Sequence, residues 1–102
     1  MASDTISVTA SGASKAHPID LSRFRGEIGL IATVSENGSA DYDVEVTGDD
    51  RKAGFTHWNK HDILKAKTAS ANSNIVFPVT GVRLFVRSIN GTLTLSIVYV
   101  EG

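Results

Sequence analysis

Residues 78–100 read PVTGVRLFVRSINGTLTLSIVYV, and the rest of the chain is organised around this stretch. Two alternating runs flank the dipeptide Asn90-Gly91. In each run the apolar residues occupy every second position: Val82, Leu84 and Val86 before the dipeptide, and Leu93, Leu95 and Ile97 after it. A period of two indicates strands with one buried face, and Asn-Gly favours a tight type I′ turn. The stretch therefore predicts a β-hairpin.

The same alternation recurs nearer the N-terminus. EIGLIATV (27–34) and DYDVEVT (41–47) flank a second Asn-Gly at 37–38, which predicts a second hairpin. In DYDVEVT the alternation places Asp41, Asp43 and Glu45 on a solvated strand face. Further short strands are predicted in DTISVTA (4–10) and near 19–21, 55–58, 62–66 and 74–78, with Phe24 as a core anchor. For HDILKAKTASA (61–71) a helix stays open as an alternative.

About seven or eight short strands at near-regular spacing predict an all-β fold, an antiparallel β-sandwich that is jelly-roll-like. A chain of 102 residues forms one domain. Residues 17–102 are assigned to the sandwich, and residues 1–16 to either a flexible N-terminal arm or a first strand. The predicted core consists of Ile6, Val8, Ile28, Leu30, Val34, Tyr42, Val44, Val46, Val82, Leu84, Val86, Leu93, Leu95 and Ile97.

Composition limits the classes of function. With 41% hydrophobic and 21% charged residues and no Cys, the chain resembles an ordinary globular protein without disulfides. The sequence contains no signal peptide and no apolar run that could span a membrane, so we expect synthesis in a cytoplasm. The net charge of −1 argues against a nucleic-acid binder.

The charge is unevenly distributed along the chain. Residues 1–50 carry −6 and residues 51–102 carry +5. If the two halves lie on different faces, the domain is electrostatically two-sided and can associate head to tail with copies of itself. Alternatively, the fold interleaves the halves and the asymmetry vanishes.

No motif in the sequence predicts catalysis. There is no thiol, no G-x-S-x-G elbow and no glycine-rich phosphate loop, so we expect no enzymatic activity and no cofactor. His57 and His61 are four residues apart, and Asp41, Asp43, Asp49 and Asp50 are close in sequence, but neither group has a diagnostic metal-ligand spacing. The sequence therefore predicts no metal site.

One polar segment carries the candidate binding residues. Trp58, the only Trp, stands beside Phe55 and His57. Aromatic residues flanked by polar ones are typical of interface anchors and sugar platforms, although Trp58 could equally be a core or loop-pinning residue. The outward-pointing Arg83 and Arg87 of the opening stretch complete a candidate interface of Phe55, His57, Trp58, Arg83 and Arg87.

DYDVEVTGDD (41–50) and NSNIVFPVTGVRLFVRSINGTLTLSIV (72–98) together resemble small β-sandwich structural proteins of tailed bacteriophages. The resemblance implies a virion structural protein made in the host cytoplasm, most simply a capsid decoration protein that stabilises the particle. Its partners would be copies of itself and the major capsid protein, or a neck or tail protein. The resemblance implies no catalytic residues. Carbohydrate-binding β-sandwich modules share the late pair of strands, and in that alternative Trp58 and Phe55 would stack on sugars such as a host-surface glycan.

Overall fold

The computed structural model of the chain describes residues 2–19, 24–49, 54–75 and 79–101, and every regular element among them is a β-strand. In this part of the chain no helix is long and apolar enough to cross a membrane. The strands are β1 (Ala2–Val8), β2 (Gly12–Ala13), β3 (His17–Pro18), β4 (Phe24–Val34), β5 (Ser39–Thr47), β6 (Asn59–Lys60), β7 (Ala71–Ile75), β8 (Gly81–Asn90) and β9 (Leu93–Glu101). The predicted all-β fold is confirmed.

The strands form two antiparallel sheets that pack face to face. Sheet A has the order β1-β9-β4-β7, and sheet B has the order β2-β8-β5-β6, with β3 also paired to β8. Because β2 and β3 both pair with β8, they act as one interrupted strand, so the described residues provide eight strand positions. Apart from β5 and β6, strands that follow one another along the chain then lie in opposite sheets. This is the connectivity of a jelly-roll sandwich.

Both predicted hairpins are wrong, because neither Asn-Gly joins two paired strands. β4 and β9 lie in sheet A, whereas β5 and β8 lie in sheet B, so each dipeptide connects the two sheets. Asn37 and Gly91 adopt the positive φ that Asn-Gly favours, at 61° and 99°. Ser35 holds the two connections together: its N–H donates to the Thr92 carbonyl oxygen and its Oγ accepts from the Thr92 N–H, each at 2.9 Å. Alternation identifies the buried side of a strand but not the strand beside it.

The core lies between the sheets, as the alternation predicts. Eleven predicted core residues are buried: Ile28, Leu30, Tyr42, Val44, Val46, Val82, Leu84, Val86, Leu93, Leu95 and Ile97. Ile6, Val8 and Val34 are partly buried and pack against these residues. The structure adds Ile19, Ala32, Ala40, Leu64, Ile75 and Val79.

The segment 54–70 departs most from its prediction. The strands expected at 55–58 and 62–66, and the alternative helix, are wrong: only β6 is extended, and the chain then bends over 62–66. His61 Nδ1 accepts hydrogen bonds from the N–H groups of Ile63 and Leu64, both at 3.1 Å, and the bend places Leu64 fully inside the core. The segment then rejoins β5 through two backbone hydrogen bonds of 2.9 Å between Lys67 and Tyr42.

The N-terminal residues form a strand. β1 pairs along its whole length with β9, from Ala2 opposite Tyr99 to Val8 opposite Leu93. A 3.1 Å contact between His17 Nε2 and Asp4 Oδ2 links β3 to β1 across the sandwich. Three predictions lie outside the described residues and side chains. They are the strand around Leu21, the end of the strand 74–78 and the core role of the Phe24 side chain.

Candidate functional site

The structure divides the five predicted interface residues into three groups. Trp58 contacts both Phe55 and Arg83. Arg87 belongs to a cluster of carboxylates farther along β8, and His57 pairs with a carboxylate after the end of β5. Trp58 is therefore the centre of one group, whereas Arg87 and His57 each have other partners.

Arg83 is held from two sides. It lies opposite Glu45 in the β5–β8 register, and its Nε donates to Glu45 Oε1 at 2.7 Å. Its guanidinium carbon is 4.4 Å from the centre of the Trp58 ring, which is the geometry of a cation–π contact. Arg83 thus serves mainly to fasten the half-buried Trp58 to the outer face of sheet B.

Phe55 and Trp58 form an edge-to-face pair, with ring centres 5.8 Å apart and planes at 72°. The Phe55 ring also packs on Gly81, where a Cβ would come within 3.2 Å of a ring carbon. Because Arg83 covers one face of the Trp58 ring, at most the other face remains for stacking on a ligand.

Arg87 occupies a bulge in β8. Asp41 pairs with Ser88 and Tyr42 with Val86, so Arg87 is the extra residue. Its Nη2 donates to Asp41 Oδ1 and its Nη1 to Asp43 Oδ2, each at 2.6 Å. These hydrogen bonds raise the pKa of Arg87, so the guanidinium stays charged.

Asp43 is almost fully buried, with 1% of its surface exposed. Burial alone opposes ionisation, but hydrogen bonds from Arg87 and from the Ala66 N–H (2.6 Å), with the positive charges of Arg87 and Lys60, hold the pKa of Asp43 below its usual value. The predicted solvated face is therefore wrong for Asp43 and also for Glu45, which is buried. The reason is that the arginines of β8 and the segment after β6 cover these carboxylates.

These contacts interleave the charges of the two halves of the chain. The acidic residues of β5 come from the first half, and the basic residues Arg83 and Arg87 come from the second half. Neighbouring strands bring these acidic and basic residues together in pairs, so the charges of the two halves interleave on this part of sheet B.

His57 takes part in a local set of hydrogen bonds around Asp49, just after β5. Asp49 Oδ2 accepts hydrogen bonds from the N–H groups of His57 (2.7 Å) and Thr56 (2.8 Å), and His57 Nδ1 lies 3.2 Å from the same carboxylate. The two backbone hydrogen bonds are the main reason that the pKa of Asp49 falls to about 2. These hydrogen bonds hold the segment that leads to Trp58, while the His57 ring itself is largely exposed.

His61 bridges the two sheets at one edge of the sandwich. Its Nε2 donates to the Asn74 carbonyl oxygen at 2.8 Å, while Nδ1 accepts from the backbone, so the ring is the neutral tautomer with its hydrogen on Nε2. His57 and His61 are engaged separately. Among the described residues, no group of three histidine or carboxylate side chains could hold a metal ion.

The central part of the outer face of sheet A, formed by residues 29–33 of β4 and the positions beside them, carries no charged residue, and we call this part the uncharged face. Register and alternation place on it Ser3, Thr5 and Ser7 of β1, Thr94, Ser96 and Val98 of β9, Gly29, Ile31 and Thr33 of β4, and Asn72 and Asn74 of β7. Ile31, between Ser96 and Asn72 in the register, is 46% exposed. Alternating Ser and Thr are visible in the sequence, but only the strand order shows that they form one surface.

A second feature, which we call the edge groove, lies between the edges of the two sheets. It has a volume of about 390 Å³. Residues 59–63 form one wall and Ser73 and Asn74 the other, with Val46, Thr47, Gly48 and Val79 completing the lining. Ile63 in this lining is 56% exposed. No sequence motif predicts the groove, because its walls come from segments far apart in the chain.

Compared with protein-family models, with curated proteins and with solved structures, the chain matches none. The resemblance to bacteriophage structural proteins therefore rests on the sequence stretches quoted above, and what it implies is a proposal.

Proposed function

We propose that this domain is a structural protein of a tailed bacteriophage virion, most simply a capsid decoration protein, and that its uncharged face makes the contacts with the particle. The observation that supports the proposal is the contrast between the two outer faces. Sheet B carries charged side chains that pair within the chain, whereas sheet A presents short, uncharged side chains around Ile31.

Such a face can be buried at low cost. Taking unpaired charges out of water is unfavourable, and none of the residues placed on the uncharged face is charged. Ser, Thr and Asn side chains lose less conformational entropy than long ones when they are immobilised. Their polar groups include both donors and acceptors, as in the 3.2 Å contact between Ser7 Oγ and Thr94 Oγ1. A flat protein surface could therefore satisfy them.

The size of the face predicts how it is used. Four strands of about five residues cover roughly 300 Å² in plane. A standard protein interface buries about 800 Å² on each partner, so one copy is expected to bind weakly. An oligomer that engages several repeated sites on a particle gains avidity without new contacts. This consideration favours copies of the chain itself as partners alongside the major capsid protein, or a neck or tail protein.

The proposal includes no enzymatic activity. The carboxylates and histidines that acid–base catalysis would need, such as Asp43, Glu45 and His61, are engaged in contacts within the chain.

Jelly-roll folds occur in viral capsid proteins and in lectins, so the fold alone does not distinguish a capsid protein from a carbohydrate-binding module. In the carbohydrate-binding alternative, Trp58 and Phe55 would stack on sugar rings, and here Arg83 covers one face of Trp58.

The test is to mix the full chain with virus particles assembled without it. We expect saturable binding and a higher melting temperature of the particle. Ile31→Glu, which puts a charge in the uncharged face, should weaken binding at least about 10-fold. Ile63→Glu is the matched control, because Ile63 is similarly exposed but lies in the edge groove.

Two results would contradict the proposal. One is equal loss of particle binding in the two isoleucine variants, since the contact would then lie elsewhere. The other is binding to a glycan array but not to particles, with loss of that binding in Trp58→Ala, which would favour the carbohydrate-binding alternative.

A further inference from the structure

The edge groove contains polar side chains that the fold leaves without intrachain partners. The Asn59 amide, the Asp62 carboxylate and the Ser73 hydroxyl make no side-chain hydrogen bond or ion pair within the described ranges of the chain. In contrast, the carboxylates on the outer face of sheet B all have partners. A small concave site with a few converging polar groups is the usual form of a ligand pocket.

The shape of the groove favours a compact ligand. The hydrogen bond from His61 Nε2 to the Asn74 carbonyl oxygen joins one wall to the other. The volume of about 390 Å³ lies at the lower end of the range for small-molecule sites.

The charges and apolar surface of the groove define the ligand further. Lys60 lies 3.6 Å from Asp43, which leaves the Asp62 carboxylate of the lining to accept hydrogen bonds, so the groove favours a ligand rich in donor groups such as hydroxyls. The exposed Ile63 supplies an apolar surface near these polar groups. A sugar ring has hydroxyl groups for amide, carboxylate and hydroxyl partners, and an apolar C–H face for an aliphatic side chain.

We propose that the edge groove binds a neutral saccharide of one or two rings. Asp62, Asn59 and Ser73 hydrogen-bond its hydroxyl groups, and Ile63 packs against a ring face. This site is separate from the Trp58–Phe55 pair, and it adds a function to the particle contact through the uncharged face.

The probe is a panel of neutral sugars: glucose, galactose, mannose, N-acetylglucosamine, lactose and maltose. Each is titrated into the ¹⁵N-labelled full chain and followed by NMR. We expect at least one sugar to shift the amide signals of residues 59–63 and 73–74, with a Kd in the range of about 1–10 mM for a ligand of this size. Asp62→Ala and Ser73→Ala should each weaken binding by about 5-fold, the worth of one hydrogen bond.

Control variants separate this site from the others. Trp58→Ala and Ile31→Glu should leave sugar binding unchanged, whereas Ile63→Glu should abolish it while leaving particle binding intact. The backbone spectra of the free variants show whether each one is folded. Absence of shifts up to about 100 mM of every sugar would overturn the proposal. Shifts centred on Trp58 and Arg83 would also overturn it, because the sugar would then bind the aromatic pair.

Discussion

Replacing Arg87 with Ala should destabilise the domain by about 2–3 kcal/mol, because it removes the principal partner of the buried Asp43 carboxylate. Breaking a buried ion pair by removing one partner costs about 3–5 kcal/mol. Here the cost is reduced, since Asp43 keeps the Ala66 N–H at 2.6 Å and Lys60 at 3.6 Å. The second carboxylate, Asp41, is 40% exposed, and its pairing with Arg87 adds less than about 1 kcal/mol.

The assay is urea unfolding followed by the fluorescence of Trp58, the only Trp in the chain. Asp41→Asn is the control, with an expected loss below about 1 kcal/mol because this carboxylate is 40% exposed and its pairing with Arg87 is screened by water. A loss below about 0.5 kcal/mol for Arg87→Ala at pH 7, within the range of ordinary surface substitutions, would refute the account of the buried pair.

The pH dependence gives a second check. The pKa of Asp43 is lowered by folding, so its contribution to stability is present above the ordinary value of 3.8 and is lost as the pH falls through its folded value. In the Arg87→Ala variant, the buried carboxylate is more easily protonated. The difference in stability between wild type and variant should therefore shrink from pH 7 to about pH 3. An equal difference at the two pH values would contradict this explanation.

Three further predictions test the fold. Leu95→Ala, at a fully buried position, should cost about 2–5 kcal/mol in urea unfolding, whereas Ile31→Ala should cost less than about 1 kcal/mol; equal costs would mean that the inward face of sheet A is misassigned. Gly91→Ala should lower the free energy of unfolding by about 1–3 kcal/mol, because φ is 99° and a Cβ would overlap Ser35 Oγ. Gly48→Ala is the control: a Cβ there would meet open space, so the thermal midpoint should change little. The pKa of Asp49 is lowered to about 2, so the stability that its charge contributes is lost as the pH falls from about 4 to 2. Asp49→Asn should therefore make the free energy of unfolding depend less on pH in that window. An unchanged pH dependence would contradict the role given to the hydrogen bonds of Asp49.

The sequence predicts burial better than it predicts strand pairing. Period-two alternation identifies Leu84 and Leu95 as inward residues, because burial depends only on which side of its own strand a residue lies. The partner of each strand depends on the path of the whole chain. Asn90-Gly91 supplies the positive φ of a tight turn, but here that conformation redirects the chain into the opposite sheet. Turn chemistry therefore does not distinguish a hairpin from a connection between sheets.

The candidate sites show the same limit. Residue type alone selects Phe55, Trp58 and Arg83 as candidates. The contact between Arg83 and Trp58, however, depends on the register that sets Arg83 opposite Glu45. The burial of Asp43 requires an arginine more than forty positions away. The edge groove has no sequence signal at all, because each wall contributes only a few ordinary polar residues.

The uncharged face is proposed to contact the particle, and hydroxyl-radical footprinting of the chain free and bound to particles detects whether it does. Labelling at Ile31 and Ile63 can be compared within one sample, because both side chains are similarly exposed in the free domain, at 46% and 56%. We expect particle binding to reduce labelling of Ile31 several-fold and to leave Ile63 unchanged, as burial on one face requires. Protection of Ile63 with continued labelling of Ile31 would contradict the claim.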